Sequence, residues 1–446
     1  MNTFIFLTIF SVLGLLYVIL GIRASKNVKT DTDYFIANRQ LGTWQITCNL
    51  IATQLGGGML LGTAASAYAI GYYGILYTIG MALGFILLSC GVASRLQQFN
   101  VTTTAALFET QYKSPTLKKI ASLLSIATLF GILIAQVVGF KSLMATIGFG
   151  SGLVVLPFWL SVIGYTMIGG LRAITINDMV QLAIITVTFV SIFFYQLITK
   201  PIAFTLETQR LFGAQEFSFY SLSAIILMPA LFSLIEQDLA QRFFASKSKT
   251  VATLSAINAT IFLALFAIIP VYLGMSARLN AIAMPEGASP LLALLQQTLP
   301  EIIFAIALCA IVAAIISTAD ALMNGISANI TQDFALAKFT SLNTLVCSKI
   351  TTGVVGITAL IASYFVPASI IDIIISSYEI SVSCLLVPLL FCYFKKDVKK
   401  TAAICSIIAG FFGFIIFRIY PLPIPKEIMA LLLSLLGYLI GDRMKN

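Results

Sequence analysis

The sequence predicts an all-α polytopic membrane protein, and three observations carry that expectation. Mean hydropathy is +1.01, with 59% of the 446 residues hydrophobic and 10% charged. A soluble domain is nearer a quarter charged, so this composition excludes a water-soluble fold. Apolar stretches recur at 3–22, 43–70, 74–94, 117–148, 152–170, 174–199, 218–240, 250–275, 300–332, 341–365, 370–394, 401–418 and 424–441. A membrane-crossing helix takes about 20 apolar residues, so these are thirteen expected transmembrane helices. The longest polar connections, Lys200–Phe217 and Ser276–Pro300, leave no room for a separate soluble domain. The third observation is charge placement. With the N-terminus outside, 20 Lys and Arg fall at inside ends, from Arg23 to Lys445. Five fall outside: Lys200, Arg210, Arg278, Arg418 and Lys426. The positive-inside rule then sets the N-terminus outside and the C-terminus in the cytoplasm.

The same split explains the net charge of +9 as topology, so no nucleic-acid partner is expected. No histidine occurs. Its absence removes Ser-His-Asp hydrolases, histidine-ligated metal enzymes and imidazole proton relays, and the chain is not expected to be an enzyme. Seven cysteines, an odd number, all lie in apolar stretches, where they read as small buried hydrophobes rather than a disulfide framework. The first stretch lacks a basic n-region and a small-residue cleavage site, so it reads as a retained helix.

Two stretches are interrupted. The second contains Gly56-Gly57-Gly58, with Gly62 one turn on, and the seventh contains Pro229 within Leu227-Met228-Pro229-Ala230. In lipid, interrupted backbone must line a cavity or meet a ligand. Glycine triplets and prolines also serve close packing and kinks. Gly57 and Pro229 lie 172 residues apart, and each opens a run of five expected helices. That match favours unwinding and predicts two five-helix repeats of inverted topology. Residues 1–446 thus read as one transmembrane transporter domain. It has an extra N-terminal helix (3–22), a first repeat (43–199), a second repeat (218–394) and two C-terminal helices (401–441).

An unwound segment offers carbonyls to a cation. Ser317-Thr318, within Ala314-Ile315-Ile316-Ser317-Thr318-Ala319-Asp320, supplies a hydroxyl pair in the third helix of the second repeat. Oxygen-only ligands suit a hard ion such as sodium. Serine and threonine in membrane helices also bond back to their own backbone, which is the plain alternative. Lys141 and Glu379 fall inside expected helices, where an ionisable group marks function unless it snorkels or the two pair with each other.

Four elements in order resemble the solute:sodium symporter family. Asp33-Tyr34-Phe35-Ile36-Ala37-Asn38-Arg39 is similar to its D-Y-F-L-A-G-R element, with Asn38 where glycine is usual. Gly169-Gly170-Leu171-Arg172-Ala173 followed by Asp178-Met179-Val180-Gln181 resembles its G-G-x-x-A…D-x-x-Q element. Gln237-Asp238…Gln241-Arg242…Ala245 resembles its cytoplasmic connector, and Ala313 to Asp320 its sodium-site helix. The broken-helix segment Ala52-Thr53-Gln54-Leu55-Gly56-Gly57-Gly58, with Gly62-Thr63-Ala64, is nearest to the choline-transporter branch, which has tryptophan where this chain has Gln54.

The resemblance implies a LeuT-type 5+5 inverted repeat with one extra N-terminal and two extra C-terminal helices. It implies a sodium site from the carbonyls of Ala52, Leu55 and Ala314 and the hydroxyls of Ser317 and Thr318, with Asp178 nearby. Asp178 alternatively serves as a cap or a partner of Arg172. Asp320 falls where some members hold a second sodium, or it pairs with a neighbouring helix. Substrate contacts are expected from Thr53, Gln54, Gly56 and Gly57, the Gln54 amide offering two donors and an acceptor.

The function implied is sodium-coupled symport, by alternating access, of a small organic solute, an amino acid such as proline or a similar carboxylate. The alternatives are a proton-coupled carrier of the same fold using Asp178 or Asp320, a choline or quaternary-amine transporter, and, less favoured, a transporter-like sensor. Expected partners are the solute, sodium and the lipid bilayer, with the protein a monomer or weak oligomer in the plasma membrane, expected to be a bacterial inner membrane.

Overall fold

A computed structural model describes residues 3–26, 28–146, 148, 152–202, 208, 210–212, 219–283, 289–339, 342–366, 370–420 and 424–444. Parts of both long polar connections, and Lys445, lie outside the described residues. Helices follow one another throughout: α1 (Thr3–Ser25), α2 (Asp31–Ile36), α3 (Thr43–Gln54), α4 (Thr63–Ile70), α5 (Leu76–Leu87), α6 (Ala93–Gln98), α7 (Ala106–Tyr112), α8 (Pro115–Thr146) and α9 (Gly152–Thr199). Then come α10 (Phe219–Phe232), α11 (Gln237–Ala245), α12 (Lys249–Phe266), α13 (Ile268–Leu279), α14 (Pro290–Thr298), α15 (Glu301–Ala328), α16 (Thr344–Ala362), α17 (Ile370–Phe394), α18 (Lys400–Ile419) and α19 (Lys426–Arg443). Among the described residues there is no β-strand, only an isolated bridge between Leu41 and Ser246.

Nine helices among the described residues are long and apolar enough to cross a membrane. Helix α15 is buried without interruption from Ala307 to Asn329. A helix apolar on every face belongs at the centre of a bundle, and α15 packs against α1, α3, α8, α9 and α16. At the periphery, α18 and α19 pair with each other and lean on α17.

Three local features differ from, or refine, the sequence expectation. The stretches 152–170 and 174–199 meet without a loop in α9, which turns at Gly170 (φ 54°, ψ −153°). That conformation is open to glycine and strained for other residues. A Cβ there would also lie 2.6 Å from the Tyr34 ring. The first break is where the glycines place it. Helix α3 ends at Gln54, Leu55 leaves helical geometry (φ −75°, ψ 19°), and the chain resumes through a π-turn at Gly58–Gly62.

The second break is not at Pro229. That residue sits inside α10, and Ser233 closes the turn over it by donating both its N–H (3.2 Å) and its Oγ–H (2.8 Å) to the Pro229 carbonyl. Proline removes one backbone donor, and where the neighbouring turn is closed the helix continues. The chain leaves helical geometry after Phe232 and re-enters it at Gln237, with Glu236 extended (φ −62°, ψ 121°).

A clasp joins the approach to the first break to the chain that follows the second. Arg39 donates from Nε to the Phe244 carbonyl (3.0 Å), from Nη1 to Asn100 Oδ1 (3.2 Å) and from Nη2 to the Gln97 carbonyl (3.0 Å). Leu41 N–H donates to Ala245 O and Lys247 N–H to Leu41 O, each at 3.1 Å. Asn38, where the family pattern has glycine, is left-handed (φ 52°, ψ 26°), a conformation asparagine tolerates better than most residues.

Gly170→Ala is expected to destabilise the protein by about 2 kcal/mol or more, combining a left-handed alanine with collision against Tyr34. A fall of several degrees in the melting temperature of detergent-purified protein, against an unchanged value for an alanine at the open position Gly164, is the measurement.

Candidate functional site

The first break lies against the middle of α15. Ser317 Oγ donates to the Ala52 carbonyl and to the Ala314 carbonyl, both at 2.9 Å. Thr318 Oγ1 donates to the Thr53 carbonyl at 2.7 Å and approaches the Ala314 carbonyl at 3.3 Å. The two hydroxyls therefore reach both their own helix and the end of α3. Residues 265 positions apart thus present hydroxyl and carbonyl oxygens to one point. Leu55, two positions after Thr53, is buried, with its N–H on the Ile51 carbonyl. Glycine is required at Gly56 by proximity: a Cβ there would collide with Thr318 Oγ1 and lie 2.9 Å from Gln136 Oε1. Gly57 N–H, at the head of the resumed helix, donates to Gln136 Oε1 at 2.9 Å.

Beyond the hydroxyls the site is acidic. Asp320, one turn on from Ser317, accepts from the Tyr165 hydroxyl of a neighbouring helix at 2.8 Å. Asp178 is fully buried, and among the described residues neither of its oxygens has a hydrogen-bond partner. Arg172 does not supply one. Its Nη2 pairs with Asp33 at 3.2 Å, while Asn38 Nδ2 donates to the same oxygen, Asp33 Oδ1. The charges of Asp178 and Asp320 act on each other, and the buried guanidinium of Arg242 acts on both and on Asp238. Among the described residues no group of three or more His, Cys, Asp or Glu is arranged to hold a metal. A cation at the break would meet carbonyl and hydroxyl oxygens.

On the other side of the break is a small cavity of about 20 Å³. Thr53, Gln54, Gly56 and Gly58 line it from the first broken helix, Glu236 from the second, Gln136 from α8, Thr318 from α15, and Tyr77 and Tyr378 from α5 and α17. Gln54 Nε2 donates to Glu236 Oε2 at 3.3 Å, joining the two breaks directly. The Tyr77 and Tyr378 hydroxyls are 3.3 Å apart, and Phe232 stacks on Tyr378 with centroids 4.3 Å apart. Gly57 contributes its N–H to Gln136 and is not among the lining residues.

Sequence reasoning missed Glu236, Tyr77, Tyr378 and Gln136. Glu236 immediately precedes the connector element that begins at Gln237, which was its available signal. The two tyrosines are 301 residues apart and carry none. The remaining intramembrane ions are structural neighbours of other groups. Lys141 Nζ donates to the Ser363 carbonyl (3.1 Å) and lies 3.6 Å over the Tyr364 ring, and Glu379 pairs with Lys426 at 2.8 Å. They do not pair with each other.

The description "Sodium:solute symporter family" matches residues 34–410. The chain belongs to the sodium:solute symporter family. Its whole length superposes on a solved structure of a Na+-coupled sialic acid symporter in a substrate-bound outward-open state, with TM-score 0.81 at 17% identity over 99% of this chain and 98% of that one. A nucleobase-cation-symport-1 family transporter, solved closed with bromovinylhydantoin bound, superposes with TM-score 0.67 at 13% identity over 93% and 95%. These likenesses establish the fold. In sequence, the chain is 27% identical over 179 residues to the sodium/pantothenate symporter of Escherichia coli (strain K12), a match spanning 37% of this chain and 36% of that relative.

Gly56→Ala is expected to cost about 1–3 kcal/mol by driving Thr318 and Gln136 away from the break. Removing the obstructing hydroxyl with Thr318→Ala should recover part of that loss. A double-mutant cycle in melting temperature checks it: a coupling free energy of zero would separate Gly56 from Thr318.

Proposed function

We propose that this symporter is a secondary active transporter that couples sodium influx to uptake of a small organic solute by alternating access. The observation that carries the reading is the meeting of two discontinuous helices across one cavity, with the Ser317 and Thr318 hydroxyls on the carbonyls that the first break releases. Sodium binds among the oxygens of Ala52, Leu55, Ala314, Ser317 and Thr318. It replaces the hydroxyl-to-carbonyl bonds and so favours the state in which the cavity receives solute. Asp178 and Asp320 supply negative charge nearby and a second place for a cation. Thr53, Gln54 and Gly56 shape the solute side, and Gly57 acts on it only through the Gln136 side chain that it binds.

The repeat organisation belongs to the same proposal: a LeuT-type 5+5 array of thirteen helices, with one domain over 1–446 divided at 3–22, 43–199, 218–394 and 401–441. The 20 to 5 distribution of Lys and Arg supports an N-terminus outside and a C-terminus in the cytoplasm, in a bacterial inner membrane. One charge crossing 100 mV releases about 2.3 kcal/mol. At about 1.4 kcal/mol per decade, each sodium then supports roughly a 40-fold solute gradient before its own concentration gradient is added.

The rival with an observation behind it is a proton-coupled carrier, because Asp178 is buried without a hydrogen-bond partner among the described residues. Uptake into proteoliposomes under imposed gradients separates the two. Sodium-driven accumulation, with Ser317→Ala/Thr318→Ala raising the half-saturating sodium concentration at least tenfold, is the expected result. Accumulation that follows a pH gradient without sodium and disappears in Asp178→Asn would assign the proton instead. For the solute, the carboxylate expected first from the sequence finds no basic side chain among the described lining residues. The choline-like branch resemblance in the first break is the other direction.

A further inference from the structure

Away from the breaks, a groove of about 370 Å³ opens between α3, α9 and α12. That volume falls within the usual range of ligand sites, about 300–1,000 Å³. The cavity between the breaks, at about 20 Å³, does not. Three helices line the groove, with Trp44, Thr47 and Ile51 from α3, Leu182 and Thr186 from α9, and Asn258 from α12. Trp44 and Val187 line it and are exposed, so it opens on the surface that meets the bilayer. Its described lining contains no charged residue.

Apolar walls alone would make an ordinary stretch of lipid-facing surface. This groove also holds polar groups that the fold leaves unpaired. Thr47 is 4% exposed, and its Oγ1 has no hydrogen-bond partner among the described residues. A helical threonine ordinarily returns to the carbonyl four residues back. Here that carbonyl, on Thr43, takes the Ser255 hydroxyl at 3.1 Å. Thr186 Oγ1 is unpartnered among the described residues too. Asn258 stands midway along α12, exposed and without a hydrogen bond among the described residues. Polar groups at membrane depth need partners, and an exposed amide finds one in what surrounds the protein.

Their depth identifies that partner. The bond from Ser255 to the Thr43 carbonyl sets the start of α3 level with Ser255. Trp44, exposed beside Thr43, is the kind of residue that sits at headgroup level. Thr47 follows Trp44 by three residues and Asn258 follows Ser255 by three, each about 4.5 Å deeper along its helix. The interfacial layer is about 5–7 Å thick on each side of a bilayer. Both polar side chains therefore reach its lower part, where acyl chains join their glycerol esters. Deeper still, Ile51, Leu182 and Phe262 continue the groove as apolar wall.

We propose that the groove holds one diacyl glycerophospholipid of the leaflet from which α3 enters. Its ester carbonyls accept from the Thr47 hydroxyl and the Asn258 amide, and one acyl chain lies along Ile51, Leu182 and Phe262. With no charged side chain in the described lining, the lipid is recognised by its ester and chain, and its headgroup charge is not read. The site goes beyond the transport reading and stands whichever ion is coupled. It lies against the helix that ends at the first break, immediately before the carbonyls that Ser317 and Thr318 take.

The test uses the full-length protein purified in detergent. The probes are phosphatidylglycerol and phosphatidylethanolamine as ester lipids, and the diether analogue of phosphatidylglycerol, which lacks the carbonyls. Native mass spectrometry is expected to find one phospholipid retained by the parent and lost in Ala183→Trp, which fills the groove from α9. Added to delipidated parent, the two ester lipids should raise the melting temperature alike, and the diether by clearly less. Asn258→Leu removes one hydrogen bond of about 1 kcal/mol. It should weaken binding of the ester lipids about fivefold and bring them close to the diether. Melting temperatures of both variants without lipid show that they fold, and the ester-to-ether comparison in the parent is decisive without either.

Equal lipid retention by the parent and folded Ala183→Trp, or equal stabilisation of the parent by ester and diether lipid, would overturn the site. Stabilisation by phosphatidylglycerol alone would assign the lipid to surface lysines and overturn the groove as its place. A dimer that Ala183→Trp dissociates would assign the groove to a second copy of the chain and overturn it as well.

Discussion

The structure depends on one constraint: backbone polar groups at membrane depth have no water to bond and must find protein or ligand partners. Ending α3 at Gln54 frees the carbonyls of its last turn, and two of them, on Ala52 and Thr53, are taken by Ser317 and Thr318. Everything near the break follows from that pairing. It brings α15 to the centre, where it is buried on every side. It also demands a residue without a side chain at Gly56, and places Gln136 to cap the next N–H. Because the partners are hydroxyls, the same carbonyls remain exchangeable with a cation. A backbone donor in their place would have sealed the helix.

How much of this was legible in the sequence follows the range of each signal. The apolar stretches and the hydroxyl pair are local and were readable. So was the first break, because three consecutive glycines weaken a helix wherever they stand. The second break was misplaced because proline is an ambiguous sign. It deletes a donor, and Ser233, four residues on, closes the turn with both its N–H and its hydroxyl. The true interruption follows in Ser233-Leu234-Ile235-Glu236, a sequence with neither glycine nor proline. Asn38 shows the converse, a departure from the family pattern that preserves the backbone conformation the pattern needs.

Charge partners were less legible. Arg172 and Asp178 are near in sequence on α9, yet the kink at Gly170 and the return of the N-terminal segment give Arg172 to Asp33 and leave Asp178 without a hydrogen-bond partner among the described residues. Helical spacing gives only local proximity, and the pairing depends on which helix arrives from elsewhere. The cavity wall is harder still. Tyr77 and Tyr378 meet across 301 residues, and neither tryptophan of the chain takes part: Trp44 is exposed and Trp159 is bound to the Gly356 carbonyl.

The clasp at Arg39 has a mechanical consequence. Through Arg39 and the Leu41 pairing, the segment leading into the first break is fastened to the last turn of the helix that follows the second. Those two pieces of chain behave as one lever arm. If that side of the protein opens by tearing the clasp, several hydrogen bonds of about 1 kcal/mol each must be given up together. If the arm stays whole and swings, rotation is taken up at Leu55–Gly56 and at Ser233–Glu236, where the helical ladder is already interrupted. The second route leaves the bonds intact and couples the two breaks, so that a torque applied at one by an arriving ion is transmitted to the other by a rigid linkage.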